Sequence, residues 1–327
     1  MDAQFENYSI SKITNKRFHK EIFLKKSSID SSYGSQNIDD VRTGKVEDTN
    51  TNLNQTLQKD VHRLALLGKA DTVVISDKDE NTLFASNDQS AKLIPISPLF
   101  RLKEKIDFAN KKYTILFKEL EKEEDFLAYK NLSQFHYRTI AEEKKYRNSK
   151  SYIHAVGGRN AVILCRIKFG NQDIPVGYIQ LQQPLMMCKP RHVLFNTPFS
   201  HPSRGIKWQQ WDAEARKTYT NLIVRIGRVV TDPELRGMGI SRYLIKAAKQ
   251  FSIERWHLRG ISPLFIEISA EMLRYIDFVS SSGFRYIGNT EGNLKRITSD
   301  LVHMEKVMKN HKIAGGVMSM QKKYLVN

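Results

Sequence analysis

Apolar and polar positions follow regular periods from about residue 111 onward. Residues 112–120 alternate as a strand does, whereas residues 123–140 place Phe126, Tyr129 and Leu132 at helical spacing. The pattern continues to predict strands at 160–169, 174–182, 222–231, 263–269, 284–287 and 319–325, and helices at 240–255 and 273–281. This order predicts an α/β (α+β) domain with a mixed sheet over residues 110–327.

The N-terminal third has a different pattern. Residues 1–55 are polar, rich in Ser, Asn, Thr and Asp, and lack sustained periodicity, so we expect a mobile arm or a segment that depends on a partner. Residues 56–109 are interpreted as an N-terminal extension, with a short helix within 56–70 and a strand at 72–76.

A proline-containing stretch interrupts the regular pattern at residues 183–220. Its prolines are Pro184, Pro190, Pro198 and Pro202. They predict a long irregular insertion between the third and fourth core strands.

The net charge is +17 and the pI is about 9.7, and the surplus is unevenly placed. Residues 141–228 hold fifteen Lys/Arg against five Asp/Glu, whereas residues 1–55 hold eight of each. A basic stretch with interleaved aromatic residues is typical of nucleic-acid binding, and a well-solvated basic surface is the alternative.

Basic and aromatic side chains of the insertion are the candidates for that binding. They are Lys189, Arg191, Arg204, Lys207, Trp208 and Trp211. The guanidinium and ammonium groups would hold phosphates while the indoles stack on bases. The alternative is a loop that packs on its own aromatic side chains.

Several classes of protein are disfavoured. No apolar run reaches the length of a membrane span and no signal peptide precedes the first elements, so we expect a soluble, cytoplasmic protein without membrane contact. Two cysteines, Cys165 and Cys188, do not make a disulfide framework or a thiolate zinc site. His192 and His201 lack ordered ligand spacing, and no metal is expected.

The segment with the clearest chemistry runs from residue 228 to residue 245. An apolar strand ends at Asp232-Pro233, a turn with Gly237 and Gly239 follows, and an amphipathic helix begins. Glycines let backbone N–H groups approach an anion closely, and a helix N-terminus adds unpaired donors and partial positive charge. The segment therefore predicts a pyrophosphate site, with an ordinary glycine-capped turn as the alternative. A P-loop is excluded because no Gly-Lys-Ser/Thr ending is present.

This segment resembles the acyl-CoA motif of the GNAT N-acetyltransferases, Arg/Gln-x-x-Gly-x-Gly/Ala. Arg236, Gly239 and Ser241 fill its three places, with Ser replacing the last small residue. The resemblance implies a GNAT fold, acetyl-CoA (acyl-CoA) as the cofactor, and direct acyl transfer to an amine. The implied cofactor-binding residues are Val229, Val230, Thr231, Arg236, Gly237, Met238, Gly239, Ile240 and Ser241.

A finer resemblance covers residues 110–290. Residues 135–138, 176–178, 228–230 and 275–284 look like the acetyltransferase-like domain fused to certain ABC-type ATPases, which looks related to phage Mom DNA-modification proteins. No Walker motif occurs in this chain, so the resemblance implies a separate ATPase partner. It also leaves two alternatives open: a Mom-like enzyme that modifies a DNA base, and a non-catalytic module that binds nucleic acid or an ATPase.

Candidate catalytic residues follow from the same resemblance. Tyr275 would protonate the leaving thiolate, with a core tyrosine as the alternative. Glu267, on the strand at 263–269, is a candidate base, and His136 and Tyr137 would face the acceptor. The usual superfamily tyrosine is missing, because Val279 occupies its place.

Overall fold

The computed structural model describes most of the chain outside three long segments, 27–55, 137–158 and 290–327. The described residues are 5–16, 19–26, 56–69, 71–76, 83–87, 92–108, 110–136, 159–185, 188–258, 260–270, 273 and 277–289. Within them the fold is mixed α/β, with two six-stranded sheets and a small hairpin. Every helix in this part of the chain is too short or too polar to cross a bilayer.

The first sheet is built by the N-terminal residues. Its strands are β1 (Phe5–Asn15), β2 (His19–Lys26), β3 (Leu57–His62), β4 (Thr72–Ser76), β5 (Leu83–Asn87) and β6 (Lys92–Pro95). Their order is β3-β2-β1-β4-β5-β6, and every pair is antiparallel. Alternate residues such as Ile22 and Leu24 are fully buried, so one face carries the apolar core of this sheet.

The second sheet contains the residues of the predicted site. Its strands are β7 (Arg101–Phe108), β8 (Lys111–Glu119), β9 (Asn160–Phe169), β10 (Gln172–Gln182), β13 (Ile223–Thr231) and β14 (Phe265–Ile268). Two short strands between β10 and β13, β11 (Phe199–His201) and β12 (Ile206–Trp208), form a separate hairpin. The order is β14-β13-β10-β9-β8-β7, and only the β13–β14 pair is parallel.

Helices cover both faces of this sheet. Helix α1 (Glu123–Ser133) packs on one face, where Phe126 and Tyr129 contact the buried side chains of β9 and β10. A longer helix, Ile240–Glu254, packs on the opposite face through Leu244, Ala248 and Phe251. The apolar residues of that helix recur at helical spacing, which gives the single buried stripe it needs.

The stretch after β10 is regular rather than irregular. It contains α2 (Lys189–Phe195), the antiparallel hairpin of β11 (Phe199–His201) and β12 (Ile206–Trp208), and α3 (Ala213–Tyr219); the helix Ile240–Glu254 is therefore α4. Asp212 caps α3 by accepting from the Ala215 N–H at 2.8 Å. These elements share their own apolar cluster, so the prediction that residues 183–220 are irregular is wrong.

The N-terminal predictions also differ from the structure. Residues 5–15 and 19–26 form strands, although 1–55 was predicted as a mobile arm, because a few alternating apolar side chains suffice once β3 and β4 flank them. Residues 57–62 are a strand and not a helix. β7 pairs with β8 across a tight turn at Asn110 (φ 61°), so the second sheet includes strand residues that precede residue 110.

Strands and helices predicted at 112–120, 160–169, 174–182, 222–231, 240–255 and 263–269 are confirmed to within three residues at each end. The helix predicted at 123–140 ends at Ser133, and residues 137–140 lie outside the described residues. Residues 284–287 are not a strand. The predicted strand at 319–325 and residues 274–276 of the predicted helix lie outside the described residues, and a single 3₁₀ turn is found at Ser280–Ser282.

Candidate functional site: the end of strand β13 and the start of helix α4

Strand β13 contains a β-bulge at Gly227. Gln180 of β10 is opposite Arg228 and Leu181 is opposite Ile226, so Gly227 is the extra residue. The bulge shifts the alternation of side chains by one position. Ile226 and Val229 therefore both face the α4 side of the sheet, and Val230 faces the α1 side.

The bulge coincides with the end of the parallel ladder. β14 pairs with β13 from Ile223↔Phe265 to Ile226↔Ile268. β13 continues to Thr231, and in the described part of the chain residues 227–231 pair only with β10. The backbone edge of these residues that faces away from β10 is consequently outside the described ladder.

A turn with two left-handed glycines joins this strand to α4. Asp232 Oδ1 accepts from the Glu234 N–H at 3.0 Å and begins a 3₁₀ turn at Pro233–Leu235. Gly237 (φ 90°) and Gly239 (φ 74°) then adopt conformations that L side chains rarely take, and a Cβ at either would meet nothing within 4 Å. The turn therefore needs glycine for its backbone and leaves open space beside it.

Helix α4 begins without a side-chain cap. Gly239 is its N-cap residue and makes no side-chain cap hydrogen bond, so the N–H groups of Ile240 and Ser241 are first-turn donors. Arg236 is exposed and stands beside them in sequence. First-turn donors and the helix dipole therefore coincide at this turn, in which Arg236 is an exposed basic residue, and this combination suits an anion.

The turn is fixed firmly to the sheet. The Asp232 N–H donates to the Val176 carbonyl at 2.9 Å, and Ile240 and Leu244 are buried in the core. A Cβ at Gly177 would lie 2.6 Å from the Val230 carbonyl oxygen, so β10 and β13 approach closely here. Anchoring at both ends gives the turn a defined position relative to the bulge.

A buried polar row crosses the α1 side of the sheet beside the bulge. The Gln180 amide donates to Asn160 Oδ1 at 3.2 Å, and Gln180 is the cross-strand neighbour of Arg228. Gln182 is the cross-strand neighbour of Arg225, which in turn pairs in register with Glu267. The row lies between the apolar cluster under α1 and the one formed by residues 195–223.

Two buried ionisable groups of β9 and β10 are held neutral, Tyr178 on the α1 side of the sheet and Cys165 on the α4 side. Burial raises the pKa of the Tyr178 hydroxyl, and nearby Tyr129 adds to the shift. Burial also raises the pKa of the Cys165 thiol. Tyr178 is therefore unsuited to accept a proton at neutral pH, and Cys165 is the buried thiol that its apolar surroundings predict.

The structure brings Glu267 and Arg191 together, although the sequence analysis gave them separate roles. Arg191 Nη1 lies 2.9 Å from Glu267 Oε1, and Arg191 is only 3% exposed. Arg191 is thus unavailable to nucleic acid, and that prediction is wrong because the side chain is buried in an ion pair. Both carboxylate oxygens of Glu267 accept from this guanidinium, so the carboxylate is already engaged in an ion pair in the described conformation.

Trp208 and Trp211 are also placed differently from the prediction. Trp208 stacks on Phe199 with ring centroids 4.3 Å apart, and its indole N–H donates to the Phe195 carbonyl at 3.0 Å. Trp211 packs edge-on against Phe195. Both indoles are about 95% buried, so neither can stack on a base, and the alternative of a segment packed on its own aromatics is confirmed.

The remaining predicted residues divide by exposure. Lys189 and Lys207 are exposed, and half-buried Arg204 donates to the Ser262 carbonyl. His136 follows α1 and its N–H donates to the Ser133 carbonyl at 3.1 Å. Tyr137 and Tyr275 lie outside the described residues.

Gly227 and Gln182 were missed by the sequence analysis. A glycine within an apolar strand is a recognised sign of a bulge or of a close backbone approach, so Gly227 carried a usable signal. The polar positions Gln180 and Gln182 fit an ordinary solvated face, and only the structure places them in the interior.

Comparison with known proteins adds little. No protein-family model and no curated protein matches this chain. Among solved structures, the chain is similar to an acetyltransferase of Trypanosoma brucei at 16% identity and a TM-score of 0.28, over 54% of this chain and 96% of that one. A likeness of this extent does not establish an activity.

Proposed function

We propose that the chain is an acyl-CoA-dependent N-acyltransferase of the GNAT type, with acetyl-CoA as the donor. One observation carries the proposal: β13 bulges at Gly227, outlasts its pairing with β14, and runs directly into the Gly237–Gly239 turn before α4. The strand edge beyond the pairing with β14 is followed directly by the anion site. This succession suits a ligand with a thioester at one end and a pyrophosphate at the other.

The pyrophosphate would lie at the start of α4. Backbone N–H groups between Gly237 and Ser241 would donate to its oxygens, and Arg236 would add charge. Open space beside both glycines supports this placement, because the phosphates need room next to the backbone.

The acyl group would lie at residues 227–231 of β13. Backbone N–H groups on the edge that leaves the β14 ladder would polarise the thioester carbonyl and stabilise negative charge on its oxygen during transfer. The acceptor amine attacks the carbonyl carbon, the carbon–sulfur bond breaks, and the amine proton passes to solvent or a basic group while the thiolate takes up a proton.

We propose a polyanionic or nucleic-acid-associated acceptor. Exposed Lys189 and Lys207 on α2 and β12 support a negatively charged partner. A Mom-like modification of a DNA base is the alternative acceptor chemistry at this surface. Trp208 and Trp211 have no part in it, because both are buried.

Isothermal titration with acetyl-CoA tests the donor site. We expect saturable binding by the wild type and none by Arg236→Ala/Gly239→Asp, because the aspartate puts charge and bulk where the phosphates would lie. Gly170→Asp is the matched control, since Gly170 also has positive φ (58°) and nothing within 4 Å of its Cβ position, but lies in the β9–β10 turn. Unchanged affinity in the double variant would refute this site, and no binding by the wild type would refute the donor.

A further inference from the structure

Gln182 and Gly227 fit against each other across the β10–β13 pair. A Cβ on Gly227 would lie 2.6 Å from both Cδ and Nε2 of Gln182 and 3.0 Å from its Oε1. The two 2.6 Å distances are shorter than real Cβ contacts, so the Gln182 amide occupies the space that a side chain at residue 227 would fill. The amide is 8% exposed, which leaves it little freedom to move aside.

This contact lies at the bulged residue itself. Gln182 is opposite Arg225, and the register shift falls between Leu181↔Ile226 and Gln180↔Arg228. The Gln182 side chain therefore reaches past its register partner and covers the extra residue. Because the Gln182 amide fills that space, a side chain at residue 227 cannot point into it. β13 therefore cannot regain the regular alternation of side chains by removing the bulge.

We infer that Gln182 is a positioning residue for acyl transfer, because it holds the Gly227 bulge and so fixes the direction of the backbone N–H groups at residues 227–229. The inference rests on the proposed function, in which those groups bind the acyl carbonyl. Gln182 would act through the strand and would not touch the acyl group.

Loss of this contact should weaken binding of the acyl group and leave binding of the CoA part unchanged. Residues 236–241 bind the CoA part in the proposed site, and they are attached to the sheet separately through Asp232 and Leu244. Gln182→Ala should therefore leave the affinity for free CoA within about twofold. It should reduce the preference for acetyl-CoA over CoA by about fivefold, which corresponds to one neutral hydrogen bond.

Two further variants separate positioning from general damage. Gln182→Met has a similar length and should keep the preference, because packing against Gly227 is retained. Gly227→Ala should lose the preference through the clash, and Gln182→Ala/Gly227→Ala should recover part of it, because removing the amide makes room for the methyl group. Gln172→Ala, an exposed glutamine on the same strand, is the control.

Isothermal titration of each full-length variant with acetyl-CoA and with CoA gives the readout. A preference lost in Gln182→Ala and kept in Gln182→Met and Gln172→Ala supports the inference. Equal preference in wild type and Gln182→Ala, or no preference in the wild type, overturns it while the donor site stands. Failure of the wild type to bind CoA at all overturns the proposed function and the inference together.

Discussion

Arg191 and Glu267 form a bifurcated ion pair in which one guanidinium nitrogen reaches both carboxylate oxygens. Arg191 Nη1 lies 2.9 Å from Oε1 and 3.0 Å from Oε2, and its Nη2 donates to the Leu185 carbonyl. The pair joins α2 to β14, the edge strand of the second sheet. It therefore ties the segment between β10 and β13 to the strand whose ladder ends beside the bulge.

Neutralising the carboxylate of this pair should destabilise the protein. Glu267→Gln leaves the Arg191 charge buried without its partner, and we expect a loss of about 3 kcal/mol in the free energy of unfolding. Lys246→Met is the control, because its pair with Glu104 has a similar distance, 2.7 Å, but the lysine side chain is 58% exposed. Urea denaturation of both variants checks the prediction, and equal small losses would contradict it.

The sequence predicted the strands of the second sheet better than it predicted the elements that pack around that sheet. Residues 160–169 form one uninterrupted apolar run, and α4 has a clear helical stripe, so local pattern was enough. The contact of Phe199 with Trp208 depends on the β11–β12 hairpin, which was not predicted because prolines interrupt the sequence pattern there. Arg191 and Glu267 are far apart in the chain, and no local pattern says that a basic and an acidic residue will meet in the interior.

The strands of the first sheet also depend on partners that are distant in the chain. β2 has the sequence HKEIFLKK, in which Ile22 and Leu24 are buried between charged neighbours. Two buried positions in eight residues are too few to distinguish a strand from a polar arm. Pairing with β1 and β3 decides the outcome, and pairing is a long-range property.

Trp208 should be needed for stability and not for nucleic-acid binding. Trp208→Ala removes a buried indole that contacts Phe195, Phe199 and Tyr219, so we expect a loss of about 3–4 kcal/mol in stability. The neighbouring Lys207→Gln should change stability by less than about 0.5 kcal/mol, because Lys207 is exposed.

In a nucleic-acid binding assay, by contrast, the exposed lysines of the proposed acceptor surface should matter more than Trp208. Lys189→Gln/Lys207→Gln should weaken binding to a labelled DNA duplex. It should also reduce the slope of log K against log [salt] by an amount that corresponds to up to about two phosphate contacts. Fluorescence anisotropy at several salt concentrations measures this. A double variant with unchanged affinity and slope would remove these lysines from the interface.

Gly177 should tolerate no side chain. Gly177→Ala would place Cβ 2.6 Å from the Val230 carbonyl oxygen, a backbone atom that cannot swing aside, so we expect a loss of about 2–3 kcal/mol. Gly170→Ala meets no neighbour and should cost only about 1 kcal/mol for its positive φ. Thermal or urea unfolding distinguishes the two, and equal losses would mean that the two strands separate easily at Gly177.

Protonation of His62 should destabilise the fold in mild acid. Burial, followed by the charge of Lys20, lowers the pKa of His62 from 6.5 to about 4, and its Nδ1 accepts from the Leu64 N–H at 3.2 Å. Because the folded-state pKa is below the unfolded value, the stabilisation is fully present above pH 6.5 and is lost as the pH falls toward 4. The loss would reach about 3 kcal/mol at the acid end of that window.

His62→Gln should flatten the dependence of unfolding free energy on pH within this window, because glutamine does not titrate. His19→Gln, at an exposed position on β2 opposite His62, is the matched control, in which His62 is retained. Urea denaturation at intervals between pH 4 and pH 7 gives the slopes. A wild-type slope in His62→Gln would assign the acid sensitivity to other groups, because His62 is the only residue replaced in that variant.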